Sequence, residues 1–316
     1  MKKLAEIIEK SQSIVILGHI SEDADSVGSS LAMKYALDNL GKDADVILSA
    51  PLEKRLEFIN AEFLYPADAK GQYDLCICLD CADMERLGER KTIFETAKNT
   101  ALIDHHMTNQ GFAELNYIVP DASATGEILY DVFGQIGAEV DRRVAEALFI
   151  AIASDTGSFK YSNVSPKTMR IAADLLEKDI DNAYISRMLF DTETEKAMHF
   201  KGELMSRVET YYDGRLSLIA VRNEEFENSG VAEKDMGDIV NIPRMVQGAE
   251  IAVSVRETKD RIKLSFRSNG KYDVGTLAQN FGGGGHKMAS GASAINMTFD
   301  EVKDKVTKVC GELFND

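Results

Sequence analysis

The sequence predicts an α/β protein: an N-terminal domain with a mainly parallel sheet flanked by helices, linked by a helix to a smaller α/β C-terminal domain. Three observations predict it. Short apolar runs alternate with stretches of helical period early in the chain, the pattern of βαβ units. A charged helix-period segment at 193–209 is followed by renewed strand patterns. The 316 residues correspond to roughly two domains at about 150 residues each. The expected division is a first domain over 1–190, a helical linker over 191–213 and a second domain over 214–316.

In order, the first ten residues read as an amphipathic helix, because their glutamates interrupt the apolar core a signal peptide needs. Apolar runs predict strands at 13–19, 44–48, 74–80 and 100–103. Between the first two, residues 26–40 carry Leu31, Tyr35 and Leu37 at helical spacing, and Gly41 stops the helix. From Ser123 the character becomes helical, with helices expected at 125–136, 142–154, 165–178 and 181–190. After the bridging segment, strands are expected at 215–221, 250–257 and 261–267, the last two joined by Thr258-Lys259-Asp260 as a hairpin. Residues 274–280 lead into the glycine run 282–285, and an amphipathic helix is expected at 299–314.

A net charge of −16 argues against broad attraction to nucleic acid or anionic membranes, but bound divalent ions would reverse the field locally. No long uncharged apolar stretch predicts a membrane span, and a cytoplasmic protein is expected. Cys78 and Cys81 have C-x-x-C spacing without a second ligand pair nearby. Cys76 and Cys78 alternate on an apolar strand, so buried free thiols are expected.

Histidine and aspartate recur where apolar runs end. His19, Asp23 and Asp25 follow the first strand, Asp80 ends the third, and Asp104, His105 and His106 follow the fourth. Ligand sites of open α/β sheets lie at these strand ends. A helix cap would explain one of Asp23 and Asp25, but not the histidine beside them. Asp80 after five apolar residues is costly to bury without a partner. Asp155 stands at a helix C-terminus, where the macrodipole disfavours a carboxylate and a cation would relieve it. Mixed imidazole and carboxylate donors suit manganese, zinc or iron better than calcium. In the second domain, Gly282 to Gly285 followed by His286 and Lys287 can form an anion-binding concavity.

In combination these motifs resemble the DHH phosphoesterase family with its DHH-associated C-terminal domain, closest to the nanoRNase and pAp-phosphatase branch related to the RecJ core. The resemblance spans nearly the whole chain and includes Asp121 to Glu127 and Ser265 to Ser268. It implies two Mn2+, with Mg2+ or Co2+ as substitutes. His19, Asp23 and Asp80 would hold one, and Asp25, Asp80, His105 and Asp155 the other, with Asp80 bridging. Asp80, His106 and Asp104 would form the catalytic group, His106 facing the substrate phosphate and Asp104 orienting it. Arg267, Ser268, Gly283, Gly284, Gly285 and His286 would grip the substrate. Two departures stand out: Glu22 where the family commonly has proline, and Lys160 where arginine is frequent.

The expected reaction is hydrolysis of short oligoribonucleotides to 5′-mononucleotides, with 3′-dephosphorylation of adenosine 3′,5′-bisphosphate as a further activity. A cyclic- or linear-dinucleotide phosphodiesterase and a non-catalytic nucleotide-binding module are the alternatives. The partners expected are short single-stranded RNA or a small nucleotide, with no membrane involved and a homodimer allowed.

Overall fold

The computed structural model describes residues 2–232 and 236–315, in two compact units, Met1–Thr192 and Glu193–Asp316. The first unit opens with α1 (Lys2–Lys10), which buries Leu4 and Ile8 one turn apart. There follow β1 (Ile14–Leu17), α2 (Ala24–Asn39), β2 (Ala44–Ile47), β3 (Leu75–Leu79) and α3 (Lys91–Thr96). Next come β4 (Thr100–Asp104), β5 (Leu115–Ile118), α4 (Thr125–Ile136), α5 (Arg142–Asp155), α6 (Pro166–Leu176) and α7 (Asn182–Phe190). The strands pair in parallel throughout, in the order β2-β1-β3-β4-β5.

Both faces of this sheet are covered. Ile14, Ile16, Leu75, Ile77 and Leu79 join the core under α2, α4 and α5, while Val15, Leu17, Cys76, Cys78 and Leu102 join a second core with Tyr73, Leu87 and Phe94. Double-sided burial is why these strands read as unbroken apolar runs. Cys76, Cys78, Cys81 and Cys310 are all buried free thiols, as expected. β5 escaped the sequence reading because it is a half-exposed edge strand, with Asn116 interrupting its apolar residues.

From β1 the chain turns to β2 on one side, then returns to β3 on the other. The switch point therefore lies between the carboxyl ends of β1 and β3, where open α/β sheets place their ligands. Helix α2 packs closely on α5 there: a Cβ on Gly28 would lie 2.7 Å from the Ala147 carbonyl oxygen. Close helix packing directs the ends of α2, α4 and α5 to the same region.

The second unit contains α8 (Glu195–Ser206), β6 (Glu209–Tyr211), β7 (Leu216–Val221), α9 (Asn223–Ser229), α10 (Asn241–Arg244), β8 (Ile251–Glu257) and β9 (Ile262–Ser268). It ends with α11 (Val274–Gln279), β10 (Gly284–Gly285), β11 (Ala289–Ala294) and α12 (Phe299–Asn315). Its mixed sheet has the order β10-β11-β9-β8-β7-β6, parallel only between β7 and β8. The segment expected as a linker is not a free-standing one. Helix α8 buries Ala197, Phe200 and Leu204 against Ile219, Val221 and Phe226, and β6 joins the sheet. The charged residues of this segment concealed a narrow apolar stripe. Among the described residues no helix is long and apolar enough to cross a membrane.

Candidate metal centre

Three strand ends and two helix ends supply the side chains. His19, two residues beyond β1, is buried, and its Nε2 lies 3.5 Å from Asp23 Oδ2 and 3.6 Å from Asp80 Oδ2. Asp80 leaves β3 with φ of 55°, a left-handed conformation that costs a non-glycine residue energy and recurs at functional sites. Its other oxygen, Oδ1, lies 3.6 Å from His105 Nε2. That nitrogen is also 3.3 Å from Asp155 Oδ2 and 3.8 Å from Asp25 Oδ2. The donor atoms of His19, Asp23 and Asp80 lie within 4.8 Å of one another, as do those of Asp25, His105 and Asp155, and those of Asp80, His105 and His106. All of the residues read from the sequence as metal donors thus meet in one place, and Asp80 turns one oxygen to each histidine.

Hydrogen bonds fix the unused edges of these groups. Asp23 Oδ1 accepts from the Ser26 amide at 3.0 Å and caps α2, which leaves Oδ2 facing His19. The capping and ligand readings of Asp23 are therefore compatible. Asp25 accepts from Ser29 Oγ at 3.0 Å and from the amides of Thr125 and Gly126 at 2.8 and 3.1 Å. The N-cap residue of α4, Ala124, has no side-chain acceptor, so a carboxylate from another helix satisfies those amides. Thr125 Oγ1 also donates to Asp80 Oδ1 at 3.0 Å. His105 Nδ1 donates to the Ala122 carbonyl at 3.3 Å, and His106 Nδ1 donates to Asp104 Oδ1 at 2.7 Å. Asp104 also accepts from Asn109 Nδ2. Both histidines thereby bind these partners through Nδ1 and turn Nε2 to the other side of the ring, the orientation an outer partner imposes.

The electrostatics fit a cation. Burial, reinforced by mutual repulsion, pushes the carboxyls of Asp25, Asp80 and Asp155 above the ordinary range. Burial opposes a charged His19, but Asp23 and Asp80 outweigh it and raise the imidazole to about 9. Burial likewise opposes the charge on Asp23, yet His19 holds it at about 2. The hydrogen bond to Asp104 raises His106. Divalent cations would remove the carboxylate repulsion, and imidazole with carboxylate is a donor set that transition ions accept.

Sequence reasoning assigned no role to Thr125, Asn109 or Ala122. The signal for Thr125 was an uncapped helix start, whose orphan amides had to find an outside acceptor. Glu22 stands where the family commonly has proline, next to the first motif aspartate. Its carboxylate turns to Arg90 Nη1 at 2.7 Å and to the amide and hydroxyl of Ser49 at 2.6 and 2.7 Å. Both partners of this ion pair are buried. Glu22 thus ties the first motif to the turn after β2. Lys160 places its ammonium over the Phe190 ring, 5.7 Å from the centroid.

In the second unit the expected substrate residues have structural partners. Arg267 Nη2 pairs with Asp238, and Ser268 Oγ accepts from the Gly270 amide at 3.2 Å. Gly284 and Gly285 form β10 against Ser290 and Gly291 of β11. His286 is exposed in the connecting turn. The glycine run is an ordered hairpin, and its neighbour Phe281 packs on Phe266.

Comparison with known proteins agrees with this architecture. Residues 13–152 match the DHH family, N-terminal domain, and residues 217–315 match the DHHA1 domain. The bifunctional oligoribonuclease and PAP phosphatase NrnA of Thermus thermophilus is 29% identical over 314 residues, covering 99% of this chain and 94% of that protein. The crystal structure of an exopolyphosphatase-related protein from Bacteroides fragilis superposes with a TM-score of 0.91 at 26% identity, covering 100% of this chain and 97% of that one. RecJ from Thermus thermophilus, solved in complex with Mn2+, shares the fold at a TM-score of 0.56 and 14% identity, covering 98% of this chain and 54% of that one. With the strand-end histidines and aspartates at the switch point and both domain matches in order, the chain carries an N-terminal DHH-family domain followed by a DHHA1 domain.

Proposed function

We propose that this chain is a dinuclear-metal phosphoesterase that hydrolyses short oligoribonucleotides to 5′-mononucleotides and removes the 3′-phosphate of adenosine 3′,5′-bisphosphate. One observation carries the reading: the two oxygens of Asp80 face two separate groups of imidazole and carboxylate donors. The similarity to NrnA along both chains supports the substrate class. His19, Asp23 and Asp80 would hold one ion, and Asp25, Asp80, His105 and Asp155 the second. Mn2+ is the expected ion, with Mg2+ or Co2+ as substitutes.

When bound, such ions activate water at neutral pH and neutralise charge on the attacking and leaving oxygens. The chain's own groups do the rest. Thr125 and the amides of α4 hold Asp80 and Asp25 with their remaining lone pairs toward the donors. Asp104 retains the Nδ1 proton of His106 and stabilises the imidazolium, so Nε2 can deliver a proton to the leaving oxygen. In the second unit, Arg267 would exchange Asp238 for a substrate phosphate, supported by Ser268, the amides of Gly283 to Gly285, and His286.

The test is turnover of a labelled linear dinucleotide and of adenosine 3′,5′-bisphosphate in excess Mn2+, with a cyclic dinucleotide compared in parallel. Asp80→Ala is expected to lower kcat on the order of 10³-fold. Equal turnover by wild type and variant would reject the proposal. Faster cleavage of the cyclic substrate would replace it with a cyclic-dinucleotide phosphodiesterase.

A further inference from the structure

One cation at the rim of the centre lacks the counter-charge its neighbours have. Arg86 follows β3 in the turn capped by Asp83, whose Oδ1 accepts the Arg86 amide at 3.0 Å. Its carbonyl accepts the Ile20 amide at 2.7 Å, so the backbone of Arg86 is fastened directly to the loop carrying His19. The half-buried side chain brings Nη2 within 3.1 Å of His19 Nδ1.

That contact is not a hydrogen bond. His19 Nδ1 lies 2.7 Å from the Ile20 carbonyl oxygen, which can only accept, so Nδ1 carries a proton and donates it there. A guanidinium has no acceptor atom either, so Nη2 and Nδ1 face each other as two donors. Among the described residues no carboxylate forms an ion pair with Arg86. It therefore stands one imidazole ring away from the oxygens of Asp23 and Asp80, next to the exposed Ile20 and Ser21, and among the described residues no acceptor satisfies its guanidinium. The arrangement resembles a socket awaiting a polyoxygen anion, because a phosphate offers acceptors where His19 offers none.

We propose that Arg86 is a phosphate-contacting residue of the centre: its guanidinium receives a non-bridging oxygen of the phosphoryl group presented to the His19, Asp23 and Asp80 side. The assignment rests on the phosphoesterase reading for its ligand class. It gives the first unit an anion contact of its own, independent of Arg267 in the second.

The experiment separates anion binding from metal binding and from turnover. Full-length protein loaded with Mn2+ is titrated calorimetrically with AMP and with inorganic phosphate, alongside Mn2+ titration of each metal-free variant. Arg86→Gln is expected to weaken AMP about tenfold or more while leaving Mn2+ affinity and melting temperature at wild-type values. Arg86→Lys recovers only part of the loss, because a point charge replaces a planar fork. Unchanged AMP affinity in Arg86→Gln overturns the assignment, as does a wild type that binds neither probe. A parallel fall in Mn2+ affinity also overturns it, because Arg86 would then act through His19. Wild type that binds AMP with the expected Arg86 dependence but cleaves no dinucleotide upholds the contact and rejects the proposed function instead.

Discussion

The two units treat charge in opposite ways. In the first, Asp25, Asp80 and Asp155 converge on one histidine without enough positive charge to balance them, and burial leaves their repulsion unscreened. In the second, Arg215, Arg222, Arg267 and Lys303 each meet a carboxylate near the surface. Hydrogen bonds in the first unit hold Asp25 and Asp80, and an oxygen of each of the three carboxylates faces His105. In the second they close locally. A conflict the fold maintains without resolving is a stronger mark of function than a pair already satisfied.

The largest difference should appear between the ion pairs themselves. Glu22 and Arg90 are buried, and among the described residues Arg90 Nη2 has no hydrogen-bond partner. Glu22→Ala would leave a buried guanidinium uncompensated and is expected to cost about 3–5 kcal/mol in chemical denaturation. Asp300→Ala, which breaks the exposed pair with Arg222, should cost less than about 1 kcal/mol. Equal costs would remove the contrast between the units. A smaller effect is expected at Thr125, which is fully buried and bonded to Asp80. Thr125→Val keeps the volume but removes the donor, and Mn2+ affinity should fall about 10–100-fold. Thr125→Ser should restore most of it. A valine variant with wild-type Mn2+ titration would show that the hydroxyl does not position Asp80.

Legibility in the sequence followed the same division. The imidazole and carboxylate donor groups of the first unit could be read because they break a rule: His19, Asp80 and His105 end apolar runs at places where a polar group is expensive. Strands β1 to β4 were visible because burial writes them as short, largely apolar runs. What supports the donors was not legible. Thr125 acts on Asp80 across 45 residues, and Arg90 on Glu22 across 68, distances at which no local pattern survives. The packing of α8 within the second unit was not legible because its apolar stripe comprises only Ala197, Phe200 and Leu204 among charged residues. The glycine run read as an anion cradle is also a strand, and composition alone does not separate those roles.

Adjacent glycines can separate them. At Gly283 an added Cβ would lie 2.1 Å from the Gly291 carbonyl oxygen and 2.5 Å from the Ala292 methyl carbon. At Gly284 it would meet nothing within 4 Å. Gly283→Ala must therefore push β10 off β11, and the overpacking should cost about 1–3 kcal/mol, with faster amide exchange confined to the hairpin and no change in Mn2+ affinity. Gly284→Ala should leave stability unchanged, so any effect on activity reports on the substrate. A raised KM with unaltered kcat in Gly284→Ala would mean that the backbone there approaches the substrate and binds it equally in ground and transition states. Wild-type kinetics in Gly284→Ala, beside a destabilised Gly283→Ala, would confine the glycine run to closing the sheet edge.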